Sequence, residues 1–211
     1  MFPGRIDQAA YSEVAIVGTL GEGGRSVVHD ATWRGRPVAL KVYKASALER
    51  HARKHALPLP EFEYQRNLAF FSAPGLAAHV AEPLAYVSTP HVSALLQERL
   101  DGELYYFWHR RTGGNPEVLR QVGRIVELAH EAGLFDVDLH AMNVLVTAAE
   151  GAPTAKLFDF NLIPFHEHPP NPLVAVLLRC GLMSVRERDL RKLRDFHDFR
   201  RVERKLLRFY S

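Results

Sequence analysis

Asp138-Leu139-His140-Ala141-Met142-Asn143 runs directly into the apolar triplet Val144-Leu145-Val146, and a second short run closes on Leu157-Phe158-Asp159-Phe160-Asn161. The segments around Val144–Val146 and Lys156–Phe158 predict two short strands. Asp138 and Asn143 then lie in the loop entering the first strand, and Asp159 stands at the exit of the second. Each has an ordinary reading on its own: Asp138 caps a turn, Asn143 satisfies loop backbone, and Asp159 ends a strand. Their order and spacing, a carboxylate five residues before an amide and a second carboxylate after the next strand, gain weight from what lies upstream.

Before this stretch, Val118, Val122, Ile125, Val126 and Ala129 form one stripe of a helix that ends near Gly133. Earlier still, Val14–Leu20, Ser26–Thr32 and Pro37–Tyr43 read as a β-meander broken by Gly-Glu-Gly-Gly and Arg-Gly-Arg-Pro turns. Ala45–His55 and Glu61–Phe71 look helical, with Pro58 and Pro60 interrupting the run between them, and Leu84–Ser88 and Ser93–Glu98 complete an antiparallel sheet. After the Pro-rich loop His166–Pro172 the chain is helical to its end. The expectation is an α+β chain, a β-rich part followed by an α-rich part, with the site in the cleft between them.

Two features of the β-rich part carry chemistry. LGEGGRSVV sets Gly21 and Gly23 two apart between strands, with Ser26 and Val28 following. Glycine lets backbone amides approach phosphate oxygens without a Cβ clash, although a glycine-rich hairpin turn is the plain alternative. On the next strand Val38-Ala39-Leu40 precedes Lys41, which alone would be an edge-strand solubility charge.

Taken together, LGEGG, VALK, DLHAMN and FDFN resemble the protein-kinase-like superfamily, in this order and across most of the chain up to Ile163. The form Asp-Leu-His-x-x-Asn is more similar to small-molecule kinases than to protein kinases, which usually carry lysine where His140 stands. The short chain, the Asp-Phe-Asn variant and the basic C-terminus resemble bacterial lipopolysaccharide kinases of the Kdo/heptose (WaaP-like) type, and Glu63-Tyr-Gln-Arg-Asn-Leu-Ala-Phe-Phe71 is similar to the PhoP-network YrbL-type relatives.

This resemblance implies a two-lobed fold: a small antiparallel β-sheet lobe with one main helix (1–97), a hinge (98–102) and a short, mostly α-helical lobe (103–211). It implies ATP and Mg2+. Gly21, Gly23 and Ser26 would cover the phosphates and Lys41 would bind them, oriented by Glu63, with Glu61 as the competing partner. Backbone groups of Glu98 and Leu100 would meet adenine between Val28 and Ala39. Asp138 would be the base, with Asn143 and Asp159 on magnesium, because phosphoryl transfer needs its charge neutralised while a carboxylate accepts the hydroxyl proton. Val137 stands where many protein kinases have arginine, Asn161 follows Asp-Phe in place of glycine, and no Ala-Pro-Glu motif follows. An activation-loop switch and a peptide platform are therefore disfavoured.

Composition narrows the rest. The chain has 211 residues, 47% hydrophobic and 24% charged, which suits a globular core and disfavours disorder. A single cysteine, Cys180, excludes an internal disulfide and a cysteine-built zinc site and fits a cytoplasmic setting. The longest apolar stretch, Pro172 to Met183, is broken by Arg179 and falls short of the ~20 residues that span a bilayer. From Arg179 to Ser211 nine Arg and two Lys face five acids, so the net charge of +3 is a C-terminal feature. Leu190, Leu193, Phe196, Phe199, Val202 and Leu206 would form the buried stripe of a helix. Arg191, Arg194, Arg200, Arg201, Arg204 and Arg208 would then form a cationic surface. The expected partners are ATP and an anionic sugar or glycolipid acceptor, with peripheral contact at the inner membrane surface and no nucleic acid. His166-x-His168 lacks a metal set, and His51-x3-His55 reads as a solvated basic face. The functional expectation is an ATP-dependent kinase acting on an envelope sugar hydroxyl, against a nucleotide-binding regulatory pseudokinase or an atypical Ser/Thr protein kinase.

Overall fold

A computed structural model describes residues 4–147, 151–160, 169, 171–199 and 203. Asn161, His166, His168, Arg200, Arg201, Val202, Arg204, Leu206 and Arg208, which figure in the sequence reading, lie outside the described residues. The chain is α+β and divides into two compact units, 1–71 with 81–100 and 72–80 with 101–211.

The first unit is built on a six-stranded sheet. In chain order it contains β1 (Gly4–Arg5), α1 (Gln8–Tyr11), β2 (Val14–Glu22), β3 (Ser26–Trp33), β4 (Arg36–Tyr43), α2 (Ala45–Ala52), α3 (Leu59–Ser72), β5 (Pro83–Ser88) and β6 (Ser93–Glu98). The strand order is β1-β5-β6-β4-β3-β2. The meander is as expected, yet the sheet is mixed rather than antiparallel because β1 joins β5 in parallel, Gly4 opposite Ala85. Two residues carry no alternation for a sequence reading to find; the edge strand exists because β5 offers it unpaired backbone groups. Pro60 does not break the run before α3 but sits in the helix's first turn, where a missing N–H costs nothing.

Alternation sorts the sheet into two faces. Ala31, Trp33, Val38 and Leu40 point to one side and are buried with Leu84 and Leu96 in the core. Leu40 stands opposite Leu96 and both are fully buried. The Trp33 indole N–H donates to Ala10 O at 3.3 Å, which attaches α1. His51 corrects the solvated-face expectation. It is buried, its ring stacks on His55 at 4.6 Å and meets Phe62 edge-on, and its Nε2 lies 3.0 Å from Leu57 O.

The second unit contains β7 (Glu103–Leu104), α4 (Tyr105–Thr112), α5 (Pro116–Glu131), β8 (Val144–Thr147), β9 (Thr154–Leu157), α6 (Pro172–Arg179) and α7 (Val185–His197), with a three-stranded sheet ordered β7-β8-β9. Asn115 caps α5 by accepting from Glu117 N–H, and the five apolar residues expected on its stripe are the ones buried. Gln121 of α5 accepts from Ala155 N–H and donates to Pro153 O, tying the helix to β9. Gly102 closes against β8: a Cβ there would lie 2.7 Å from Val146 O, so only glycine fits. Tyr105 is fully buried and stacks on Phe196 at 4.4 Å, and burial pushes its phenol up to about 12. Among the described residues no helix is long and apolar enough to cross a membrane.

Truncating Leu96 to Ala should remove about 2–5 kcal/mol of unfolding free energy, read from urea denaturation, because the packed sheet face cannot collapse onto the void. A pH effect follows from His51 and from His109, which stacks on Phe199 at 3.8 Å: burial lowers both pKa values below the ordinary 6.5. The unfolded chain then binds protons first. Their contribution is complete above about pH 6.5 and is lost as pH falls through the lower folded values. The melting temperature should drop between pH 7.5 and 5.5, with a shallower slope in His109→Gln.

Candidate active site

Ser26 faces Tyr43, Val28 faces Lys41 and Asp30 faces Ala39 in the β3–β4 register. Cross-strand partners and residues two apart share a face, so Ser26, Val28, Ala39 and Lys41 all point to the side of the sheet opposite the Leu40–Trp33 core. Lys41 Nζ lies 2.6 Å from Glu63 Oε1, and Tyr43 Oη donates to Glu63 Oε2 at 2.7 Å. The Glu63 side chain is only 2% exposed and that of Lys41 11%. Taking both charges out of water is costly, and the geometry meets that cost by giving each carboxylate oxygen its own donor. Glu61, the competing partner, points elsewhere, toward Gln65 and the Tyr86 phenol, because two helical residues differ by more than half a turn.

Gly21 lies within β2 opposite Val28, and Gly23 N–H donates to Ser26 O at 2.9 Å across the turn. A Cβ at Gly21 or Gly24 would meet nothing within 4 Å, and at Gly23 only Ser26 O at 4.0 Å. None of the three has positive φ. Among the described residues nothing demands glycine at these three positions. Glu98 ends β6 with its amide donating to Glu82 O, and Leu100 O accepts from Arg99, which pairs with Asp30.

In the second unit the loop 136–143 is held by α7. Asp189 is fully buried and accepts from Asp136 N–H at 2.8 Å and Val137 N–H at 3.2 Å, with His130 Nε2 3.1 Å away. Arg188 reaches Asp136 Oδ1 at 2.8 Å, and Lys192 reaches Asp138 Oδ1 at 2.6 Å. Val137 is fully buried, which accounts for an apolar residue at that position. Asn143 Nδ2 donates to Asp138 O at 3.1 Å and to Asp159 O at 3.2 Å, and Phe158 N–H donates back to Asn143 O. The three residues singled out in the sequence are thus brought together by one amide. Asp136, Asp138 and Asp159 have φ of 61°, 53° and 59°. Aspartate tolerates the left-handed region better than most residues, but each such position still costs of order 1–3 kcal/mol and persists only where surroundings impose it.

With its amide nitrogen committed, Asn143 has its side-chain oxygen as the atom for a cation, and Asp159, whose backbone carbonyl that nitrogen meets, carries a carboxylate. These are hard oxygen donors, few in number. Among the described residues no group of three or more His, Cys, Asp or Glu gathers. Such a pair fits magnesium, which takes one or two protein carboxylates and completes its shell with substrate phosphates and water.

The sequence reading missed Arg188, Asp189 and Lys192. Of the expected stripe, Phe196 is buried as expected while Leu190, Leu193 and Phe199 are half-buried, and the buried line on α7 runs Val185, Asp189, Phe196. An acid four residues after Val185 and seven before Phe196 was the available signal.

No family model matches the chain. Over 168 residues it is 25% identical to a light-sensor protein kinase of Ceratodon purpureus, a match that takes in 71% of this chain and 12% of that protein. The likeness is to a kinase. It is partial, since the chain spans only a small fraction of that relative.

Replacing Asp189 with Ala strands two buried amide N–H groups. The variant should lose about 2–5 kcal/mol in urea unfolding, and Asp189→Asn, which keeps one acceptor oxygen, should lose less than half as much.

Proposed function

We propose that the chain is a two-lobed, protein-kinase-like phosphotransferase that moves the γ-phosphoryl group of ATP to a hydroxyl. The observation that supports this most is the Asn143 amide, which donates to the carbonyls of both Asp138 and Asp159. In this reading Asp138 takes the proton of the acceptor hydroxyl, and Asn143 and Asp159 hold Mg2+, which supplies charge neutralisation at the phosphates. Lys41, paired with Glu63, meets the nucleotide phosphates, with the backbone of Gly21, Gly23 and Ser26 covering them. Backbone groups of Glu98 and Leu100 meet adenine, flanked by Val28 and Ala39.

The acceptor we propose is a sugar hydroxyl of lipopolysaccharide core or a similar envelope glycan, reached at the inner membrane surface. Its support is the cationic excess from Arg179 onward, suited to an acceptor already carrying phosphate or carboxylate. A protein hydroxyl is the second reading, favoured by the Ceratodon purpureus relative's description as a protein kinase.

MgATP should raise the melting temperature of the parent, and Lys41→Ala or Asp159→Asn should lose most of that rise. Asp138→Asn should keep the rise while phosphoryl transfer from radiolabelled ATP falls by roughly 10²–10⁴. Core oligosaccharide and a generic Ser/Thr substrate protein, offered separately, distinguish the acceptors. Both binding variants stabilised as fully as the parent would overturn the assignment.

A further inference from the structure

Lys192 stands one helical turn beyond Arg188 and Asp189 on α7, and the three side chains meet three consecutive residues of the loop, Asp136, Val137 and Asp138. The first two contacts are deep: Asp136 and Asp189 are fully buried. The third differs. Lys192 and Asp138 keep 24% and 36% of their side chains exposed, so this pair opens to solvent at the loop's accessible end. A partly exposed ion pair adds little stability, and α7 is already fastened to the loop by the buried contacts. Holding the helix in place does not require this cation.

An ammonium has three donors, and Asp138 Oδ1 occupies one. His140, within the loop itself, has its Nδ1 3.2 Å from Met142 N, accepting from that amide inside its own turn. α7 thus brings an ammonium beside Asp138 on a rigid support.

We propose that Lys192 is a phosphate-contacting residue of the transfer site, donating to the γ-phosphoryl group of ATP while it also holds Asp138. This rests on the phosphotransferase reading above. In the reaction the acceptor oxygen bonds to the γ-phosphorus, and the bond from that phosphorus to the β–γ bridging oxygen breaks. ADP leaves with the electron pair, and the acceptor proton passes to Asp138. Lys192 keeps its proton throughout and offsets charge on the moving group and the base.

The test is nucleotide discrimination, which needs no acceptor. Titration calorimetry with MgATP and with MgADP should show Lys192→Met losing about tenfold in MgATP affinity, as expected for one charge-assisted hydrogen bond, with MgADP affinity within about twofold. Lys192→Arg should stay within about threefold of the parent for both, and the exposed Arg186→Gln on the same helix should be unaffected. In the parent, the side-chain 15Nζ resonance of Lys192, assigned by its disappearance in Lys192→Arg, should shift on saturation with MgATP and not with MgADP. That measurement decides the matter even if Lys192→Met fails to fold. Equal affinities in parent and Lys192→Met, an equal loss for both nucleotides, or an Nζ resonance indifferent to MgATP overturns the proposal. A parent that binds neither nucleotide overturns the phosphotransferase reading, and this proposal with it.

Discussion

The buried carboxylate of Asp189 is the constraint on which the second unit's chemistry depends. A loop that turns through left-handed residues cannot use its own amides in a strand or helix, and a buried N–H without a partner is expensive. Asp189 takes the amides of Asp136 and Val137 in a single bite, and His130 of α5 lies against one of the same oxygens. Three elements are thereby fastened at one point: α5, α7 and the loop. The left-handed conformations at Asp136 and Asp138 are held in place by that fastening, and Asn143 extends it to the end of β9 through Asp159.

The first unit solves a different problem with a similar device. Lys41 and Glu63 are charges removed from water, and such a pair is as easily a liability as a support. What makes it workable is that the Tyr43 hydroxyl satisfies the second carboxylate oxygen, and that β4 is a central strand of the sheet, packed between β3 and β6. In both units a buried acid on a helix is surrounded by donors.

Much of the architecture was legible because its signals are local. The meander strands, the α5 stripe and the β8–β9 pair follow alternation and helical periodicity, which are set by each segment's own need to bury one face. β1 was illegible because two residues have no period, and Pro60 was misread because a proline's meaning depends on whether it falls before a helix or in its first turn. His51 was misread for a related reason: its charged neighbours are exposed, but its ring finds His55 and Phe62.

By itself the sequence determined which residues have unusual chemistry at fixed spacing: Gly21 and Gly23, Lys41, Asp138, Asn143 and Asp159. These are short-range patterns, written in the order of the chain. Only the tertiary structure decided that Glu63 rather than Glu61 meets Lys41, that Ser26, Val28, Ala39 and Lys41 share a face, and that Arg188, Asp189 and Lys192 reach back more than fifty residues to the loop. On a charge-rich helix an acid that faces solvent and an acid that anchors a loop look alike in the sequence. What separates them is the partner that folding brings to each.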